Sequence, residues 1–240
     1  MKVYLAYGGP PDAVAMGLSN EEAKPALLVS YVYLPIFLRQ RERLHFRHWV
    51  LDSGAFSAMN TGKEIVLKDY IKESKRLLDT DDQLKEVFAL DVIGDHKASA
   101  RNCEEMWKEG VLATPCFHSG EPESALMEMA EKYPKIALGG IAGMRGQRKI
   151  EWMKQCFARV WPKPVHAFGV GGEVAIMSLP FDSVDATNWE LGPCRFGNWN
   201  SFGKMSVRGG RQNLRSEVEH YLRLERKATA RWKKTMKQIK

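Results

Sequence analysis

Short apolar segments recur along the chain and alternate with amphipathic stretches of helical period. This alternation is typical of a parallel sheet wrapped by helices. The predicted strands are residues 2–6, 26–32, 48–51, 86–90, 111–117, 135–138, 164–168 and 183–184. The predicted helices are residues 12–17, 35–44, 67–78, 97–109, 121–132, 145–160, 173–178 and 217–240.

Eight strands, each followed by a helix, in 240 residues predict an α/β fold, a TIM-like (β/α)8 barrel. An open, doubly wound sheet is the alternative. No Pro-, Gly- or Ser-rich linker divides the chain, which indicates a single domain. We take residues 1–203 as the barrel and residues 204–240 as a basic C-terminal helical extension.

The charge is concentrated at the C-terminal end. The 36 Lys and Arg against 29 Asp and Glu give a formal charge of +7, but residues 204–240 alone carry twelve against three, or +9. This helix is either a solvated face packed on the body or a surface for a polyanion. The candidate nucleic-acid contacts are Arg208, Arg211, Arg215, Arg226, Lys233 and Lys234, with Trp199 or Phe202 stacking on bases.

Other sequence signals exclude several classes of protein. No apolar run approaches the roughly 18 to 20 residues of a membrane span, and the N-terminus lacks a secretory pattern. We therefore expect a cytoplasmic protein without a membrane partner. The four cysteines show no C-x-x-C or C-x-C spacing, which favours buried, reduced thiols over a zinc site, and we expect neither a metal nor a cofactor.

Polar or glycine residues follow nearly every predicted strand, where a barrel places its catalytic groups. Each has a structural alternative: an Asp after a strand is often a helix N-cap, a lone His is often a core residue, and glycines often form turns. Three carboxylates directed into one mouth would nevertheless shift one another's proton affinities and suit nucleophile and acid/base roles. The residues concerned are Asp52, Ser53, Asp91, Asp95, His118, Gly139, Gly140, Gly169, Gly171, Gly172 and Asp185.

Five motifs occur in an order that resembles a known superfamily. They are LDSGAF (51–56), FALD (88–91), ALGGIAG (137–143), FGVGG (168–172) and SVDATNW (183–189). Together they resemble the tRNA-guanine transglycosylases, and more closely the small phage-type members called DpdA, which exchange a base in DNA. The resemblance covers about residues 48–190 and also implies the barrel fold.

The resemblance implies a role for individual residues. Asp185 would be the nucleophile, with Asp182 as a rival placement, and Asp52 would transfer the proton. The substrate base would be bound by Asp91, His118, Gly139, Gly140, Phe168 and Ser53, although His118 stands where the family often has glutamine.

Departures from the family pattern bear on the substrate. The C-x-C-x-x-C plus His zinc site usual in enzymes acting on tRNA is missing from the sequence. We therefore expect a DNA base-exchange enzyme that replaces guanine with a 7-deazaguanine, 7-cyano-7-deazaguanine by preference, through a covalent aspartyl-sugar intermediate. A tRNA transglycosylase, a non-catalytic nucleic-acid-binding barrel and a phosphosugar isomerase or aldolase remain alternatives, and the oligomeric state stays open.

Overall fold

A computed structural model describes residues 1–8, 14–15, 17–62, 64–144, 146–191 and 214–238. Its sheet has eight parallel strands in the order β4-β3-β2-β1-β8-β7-β6-β5. The strands are β1 Lys2–Tyr7, β2 Ala26–Ser30, β3 His48–Asp52, β4 Leu84–Val87, β5 Cys116–His118, β6 Ile136–Gly139, β7 Val165–Ala167 and β8 Ser183–Ala186.

Hydrogen bonds between β4 and β5 close this sheet into a barrel. Phe88, just past β4, forms a parallel bridge with Thr114, just before β5. Ala89 N donates to Thr114 O at 2.9 Å, and Thr114 N donates to Val87 O at 2.9 Å. The predicted TIM-like (β/α)8 architecture is confirmed.

Helices cover the outside of the barrel. They are α1 Leu34–Gln40, α2 Ala55–Thr61, α3 Leu67–Thr80, α4 His96–Lys108, α5 Glu123–Lys132, α6 Gly146–Val160, α7 Glu173–Ile176, α8 Asn188–Leu191 and α9 Leu214–Trp232. In α6 the buried residues Ile150, Met153, Phe157 and Val160 recur every three or four positions, so that one face packs on the sheet. Asp95 is the N-cap of α4, because its side chain accepts a hydrogen bond from Ala98 N.

Several predicted boundaries differ from the structure. Residues 111–117 were expected to form one strand, but β5 is only Cys116–His118, and β4 lies two residues earlier than predicted. The helices α2 and α8 were not predicted. The helix expected at 217–240 begins at Leu214 and ends at Trp232, with a short 3-10 helix at Thr235–Gln238. The predicted helix at 12–17 falls mainly outside the described residues.

The buried apolar side chains form two clusters. The larger cluster lies between the sheet and the helices. A smaller one fills the barrel interior and consists of Tyr4, Ala26, Leu28, Val50, Phe88, Cys116 and Ala137. At the amino end of the strands, Lys135 Nζ lies 2.8 Å from both Glu86 Oε2 and Asp182 Oδ2. No helix among the described residues is long and apolar enough to cross a membrane.

Candidate active site

Three acidic side chains converge at the carboxyl end of the barrel. Asp52 is the last residue of β3, Asp91 follows β4, and Asp185 lies in β8. The charges of Asp91 and Asp185 both raise the pKa of Asp52, so the three carboxylates interact across one mouth. These acidic side chains therefore lie on the carboxyl-terminal side of the apolar interior cluster.

The turn after β3 fixes Asp52. Its Oδ2 accepts a hydrogen bond from Gly54 N at 3.1 Å. Gly54 has a φ of +77°, and a Cβ there would lie 2.5 Å from Ser30 Oγ. Ser53 is buried, and its Oγ is 3.5 Å from Ala55 N. The glycine of the DSG motif is therefore required by backbone conformation and by the close approach of β2.

Asp52 titrates near neutrality. Burial, and then the charges of Asp91 and Asp185, raise its pKa from 3.8 to about 7, against the opposing hydrogen bonds from Gly54 and Ser53. A carboxyl group with a pKa near the working pH is suited to both giving and taking a proton. This is the property expected of the proton-transfer residue.

His118 forms a half-buried ion-pair cluster with two carboxylates. Its Nε2 lies 3.2 Å from Asp91 Oδ2, and its Nδ1 lies 3.1 Å from Glu121 Oε1. Burial alone would lower the pKa of His118, but the hydrogen-bonded carboxylates of Asp91 and Glu121 raise it above 6.5. Burial raises the pKa of the Cys116 thiol to about 12, so this thiol is neutral near pH 7 and the two carboxylates hold the imidazolium. Burial also raises the pKa of Asp91.

The glycine pair after β6 packs directly on β5. A Cβ at Gly139 would lie 2.7 Å from Cys116 Sγ, and one at Gly140 would lie 2.8 Å from Ser119 N. Gly140 also has a φ of +68°. Close packing against the His118 strand explains both glycines, whether or not their backbone also contacts a ligand.

Asp185 is oriented by the FGVGG loop. Its Oδ1 accepts a hydrogen bond from Gly169 N at 2.8 Å, and the residue is only 4% exposed. Asp182, the rival nucleophile, instead contacts Lys135 at the amino end of the barrel. Phe168 packs against Phe88, with ring centroids 4.8 Å apart, and forms part of the apolar floor.

A cavity of about 390 Å³ lies between the FGVGG loop and the start of α6, and Gly169, whose N–H holds Asp185, is one of its lining residues. Lys149 lines it and donates from Nζ to Gly169 O at 3.3 Å. Burial lowers the pKa of Lys149, and the charge of Asp185 partly offsets this. Lys149 thus places a positive charge close enough to interact electrostatically with Asp185, without forming an ion pair with it.

One group of side chains at this mouth could hold a metal ion. The ligand atoms of Asp91, Cys116 and His118 all lie within 4.8 Å of one another. Carboxylate, thiolate and imidazole are all zinc ligands. This group was not predicted from the sequence, because Asp91 follows β4 while Cys116 and His118 lie in β5, so that no short motif contains all three.

Some of the predicted nucleic-acid contacts lie outside the described residues, and the others lie in α9 or just after it. Arg208, Arg211, Trp199 and Phe202 lie outside the described residues. Arg215 lies at the start of α9, where its Nε donates to Ser19 Oγ at 2.9 Å.

The other basic candidates lie in the C-terminal half of α9 or just after it. There Glu225 Oε2 accepts from Val3 N, Thr229 donates to Met1 O, and Met236 contacts the Met1 amino group. Arg226, Lys233 and Lys234 are therefore near the amino end of β1, opposite the mouth. The structure does not bring them to the three carboxylates.

Exposed apolar side chains follow Asp52 and Asp91 in the sequence. Phe56 and Met59 in α2 are each 53% exposed, and Val92 and Ile93 after Asp91 are also exposed. The sequence did not indicate an exposed face for Phe56 and Met59, because α2 was not predicted. They give the mouth an apolar rim beside its acidic centre.

Comparison with known proteins shows the fold. No protein-family model matches the chain, and no curated protein matches it either. A structure described as that of a fructose-1,6-biphosphate aldolase from Coccidioides immitis is similar with a TM-score of 0.58 at 9% identity, over 95% of this chain and 90% of that one. The carboxyl transferase domain of Rhizobium etli pyruvate carboxylase, with pyruvate, is similar with a TM-score of 0.50 at 11% identity, over 95% of this chain and 48% of that one.

Proposed function

We propose that the protein is an enzyme that exchanges guanine in DNA for a 7-deazaguanine, 7-cyano-7-deazaguanine by preference. The observation that carries the proposal is the convergence of Asp52, Asp91 and Asp185 at one barrel mouth, with the pKa of Asp52 raised to about 7. The five ordered motifs that resemble the transglycosylases supply the type of reaction.

In this proposal Asp185 is the nucleophile. Its Oδ1 is held by Gly169 N, which leaves Oδ2 to attack C1′ of a deoxyguanosine. A carbon–oxygen ester bond forms at C1′ while the C1′–N9 bond breaks, and the electron pair of that bond leaves with guanine. Asp182 is a poorer candidate, because its carboxylate is paired with Lys135 at the other end of the barrel.

Asp52 carries the proton in both half-reactions. Its protonated form gives the departing guanine a proton, and the resulting carboxylate then accepts the N9 proton of the incoming 7-deazaguanine. That base attacks C1′, the ester bond breaks, and Asp185 regains its charge. A pKa near 7 lets Asp52 serve in both directions.

Recognition of the base is assigned to the side of the mouth opposite the nucleophile. Asp91 offers a carboxylate oxygen as an acceptor to the hydrogen-bonding edge that guanine and 7-deazaguanine share. The His118 imidazolium, whose two N–H groups are paired with Asp91 and Glu121, holds Asp91 in place for this contact. Ser53 and the Gly139–Gly140 backbone are further polar contacts, and Phe168 is the apolar one.

The target guanine must leave the base stack to reach this mouth. Unstacking costs a few kcal/mol in a duplex and less in a single strand, so DNA contacts must offset it. Lys149 beside Asp185 and the exposed Phe56 on the rim are the described residues best placed to contribute. Arg208, Arg211 and Trp199 remain candidates from the sequence.

The test is incorporation of labelled guanine into DNA and mass spectrometry of the protein quenched during the reaction. We expect incorporation and a sugar adduct on the peptide that contains Asp185, both abolished in Asp185→Asn with DNA binding retained. Asp182→Asn is the matched control and should keep the adduct. A parallel reaction with tRNA distinguishes the alternative substrate. Full exchange by Asp185→Asn, or binding of DNA without exchange by the wild type, would contradict the proposal.

The metal-ligand group favours a second candidate function. A cation held by Asp91, Cys116 and His118 would polarise a carbonyl group, as an aldol-type reaction requires. The similarity to a protein described as an aldolase is compatible with this function. Metal analysis of the purified protein, with activity measured after chelation, separates the two: base exchange should survive chelation, and an aldol reaction should not.

A further inference from the structure

His166 lies buried in the barrel interior, directly beside the proposed nucleophile. It is the middle residue of β7 and is 0% exposed. Its ring packs between Phe88, at 4.7 Å, and Phe168, at 4.5 Å. Its Nε2 lies 3.5 Å from Asp185 Oδ1 and makes no hydrogen bond with the described residues.

The hydrogen bonds on the other side of the ring indicate which nitrogen carries the proton. Lys135 Nζ, which can only donate, contacts Ser183 Oγ at 3.3 Å. Ser183 Oγ lies 2.9 Å from His166 Nδ1. Because a buried hydroxyl group needs an acceptor for its own hydrogen, Ser183 donates to Nδ1. The remaining hydrogen of a neutral imidazole is then on Nε2 and faces Asp185.

The position is costly for stability alone, since a buried donor without a hydrogen bond is unfavourable. An apolar side chain of similar size would fit among these aromatic rings without that cost. The arrangement is better explained if the donor has a partner during the reaction, because catalytic hydrogen bonds are often long before substrate binds.

We propose that His166 is a positioning residue for Asp185, holding its Oδ1 from below through Nε2–H. The inference rests on the proposed base exchange. Together with Gly169 N, His166 would fix the carboxylate plane so that Oδ2 points to the sugar, and it would stabilise the negative charge that returns when the ester breaks. No proton moves in this role. Lys135 and Ser183 set the tautomer from the opposite end of the barrel.

The first test compares two substitutions. In His166→Leu the donor is lost while the position stays apolar, and we expect adduct formation to slow about 100-fold, with DNA affinity and melting temperature at or above those of the wild type. His166→Gln keeps an N–H donor near Nε2 and should recover about a tenth of the wild-type rate. Equal losses in both variants together with lower melting temperatures would indicate a purely structural residue and would overturn the proposal. A wild-type rate in folded His166→Leu would do the same.

A second measurement does not depend on activity. The nitrogen NMR shifts of His166 should show a hydrogen on Nε2 and none on Nδ1, and Asp185→Asn should move the Nε2 resonance more than the Nδ1 resonance. A hydrogen on Nδ1, or no response to Asp185→Asn, would overturn the positioning role. If these shifts are as expected but the wild type forms no adduct with DNA or tRNA, the proposed function fails while the contact between His166 and Asp185 stands.

Discussion

Ionisation of Asp52 destabilises the folded protein near neutral pH. Burial and two neighbouring carboxylates raise its pKa to about 7 from 3.8, so the folded protein binds this proton more tightly than the unfolded chain does. Between pH 4 and pH 7 the unfolded chain loses the proton first, and the free energy of unfolding therefore falls as pH rises. Above pH 7 the full penalty is present.

Replacement of Asp52 by Asn should remove this penalty. We expect Asp52→Asn to raise the free energy of unfolding above pH 7 by up to about 4 kcal/mol, with the gain disappearing towards pH 4. Chemical denaturation across this pH range measures it. Asp95→Asn is the control with the opposite sign, because the Ala98 N–H lowers the pKa of Asp95, so its contribution is lost as pH falls. A gain for Asp52→Asn that does not vary with pH would contradict the assignment.

The same group should govern the pH dependence of the first chemical step. In the proposed exchange, protonated Asp52 assists guanine departure, so single-turnover adduct formation should fall about tenfold per pH unit above an apparent pKa of about 7. Rapid quench of the reaction with DNA at several pH values measures this limb. In Asp52→Asn we expect a slow rate without that limb. A wild-type rate that stays constant from pH 6 to pH 9 would exclude Asp52 as the acid.

At the scale of elements, most strands were predictable because they are short apolar runs, whereas β4 contains Lys85 and Glu86 and was predicted two residues too late. The ends of β3, β6 and β8 placed Asp52, Gly139 and Asp185 correctly, since carboxyl ends of barrel strands meet at one mouth. The extent of β5 was not predictable, because Val111, Ala113 and Pro115 are apolar and buried without belonging to the strand, and Thr114 joins the sheet only through its bridge to Phe88.

The partners of the site residues were harder to predict than the residues themselves. Glu121 follows His118 by three positions, but only the turn after β5 brings its carboxylate to Nδ1. His166 resembles any buried strand residue in the sequence, and its relation to Asp185 depends on the pairing of β7 with β8. Both are tertiary contacts that local periodicity does not encode.

The junction between β5 and β6 offers a test at this scale. Gly140 and Gly120 both have a positive φ, of +68° and +98°, which an alanine adopts only with strain. In Gly140→Ala the added Cβ would also lie 2.8 Å from Ser119 N, whereas in Gly120→Ala it would meet no atom within 4 Å. We expect Gly120→Ala to lower the free energy of unfolding by about 1 kcal/mol and Gly140→Ala by about 2 kcal/mol more. Thermal denaturation measures the difference. Equal losses in the free energy of unfolding would show that β5 and its following turn accommodate the added methyl group without cost.

At the scale of the whole molecule, the two ends of the barrel differ in what they offer a polyanion. The amino end is occupied by the ion network of Lys135, Glu86 and Asp182. The carboxyl end carries the three active-site acids, which repel phosphate groups unless cations lie beside them. Lys149 is such a cation, while Lys233 and Lys234 follow the helix half that contacts Met1 and Val3.

If the protein binds DNA as proposed, this geometry predicts which lysines set the affinity. If the strand reaches Asp185 across the FGVGG cavity, Lys149→Gln should weaken binding and reduce the slope of log affinity against log salt by about one. The double variant Lys233→Gln/Lys234→Gln, although it removes more charge, should change the slope less, because those residues lie at the far end of the barrel. Fluorescence anisotropy with a short single-stranded DNA at several salt concentrations measures both. The reverse ranking would mean that DNA binds along the basic helix. Asp185 would then be too far away to attack a sugar of that DNA, and base exchange at this mouth would need a second DNA contact.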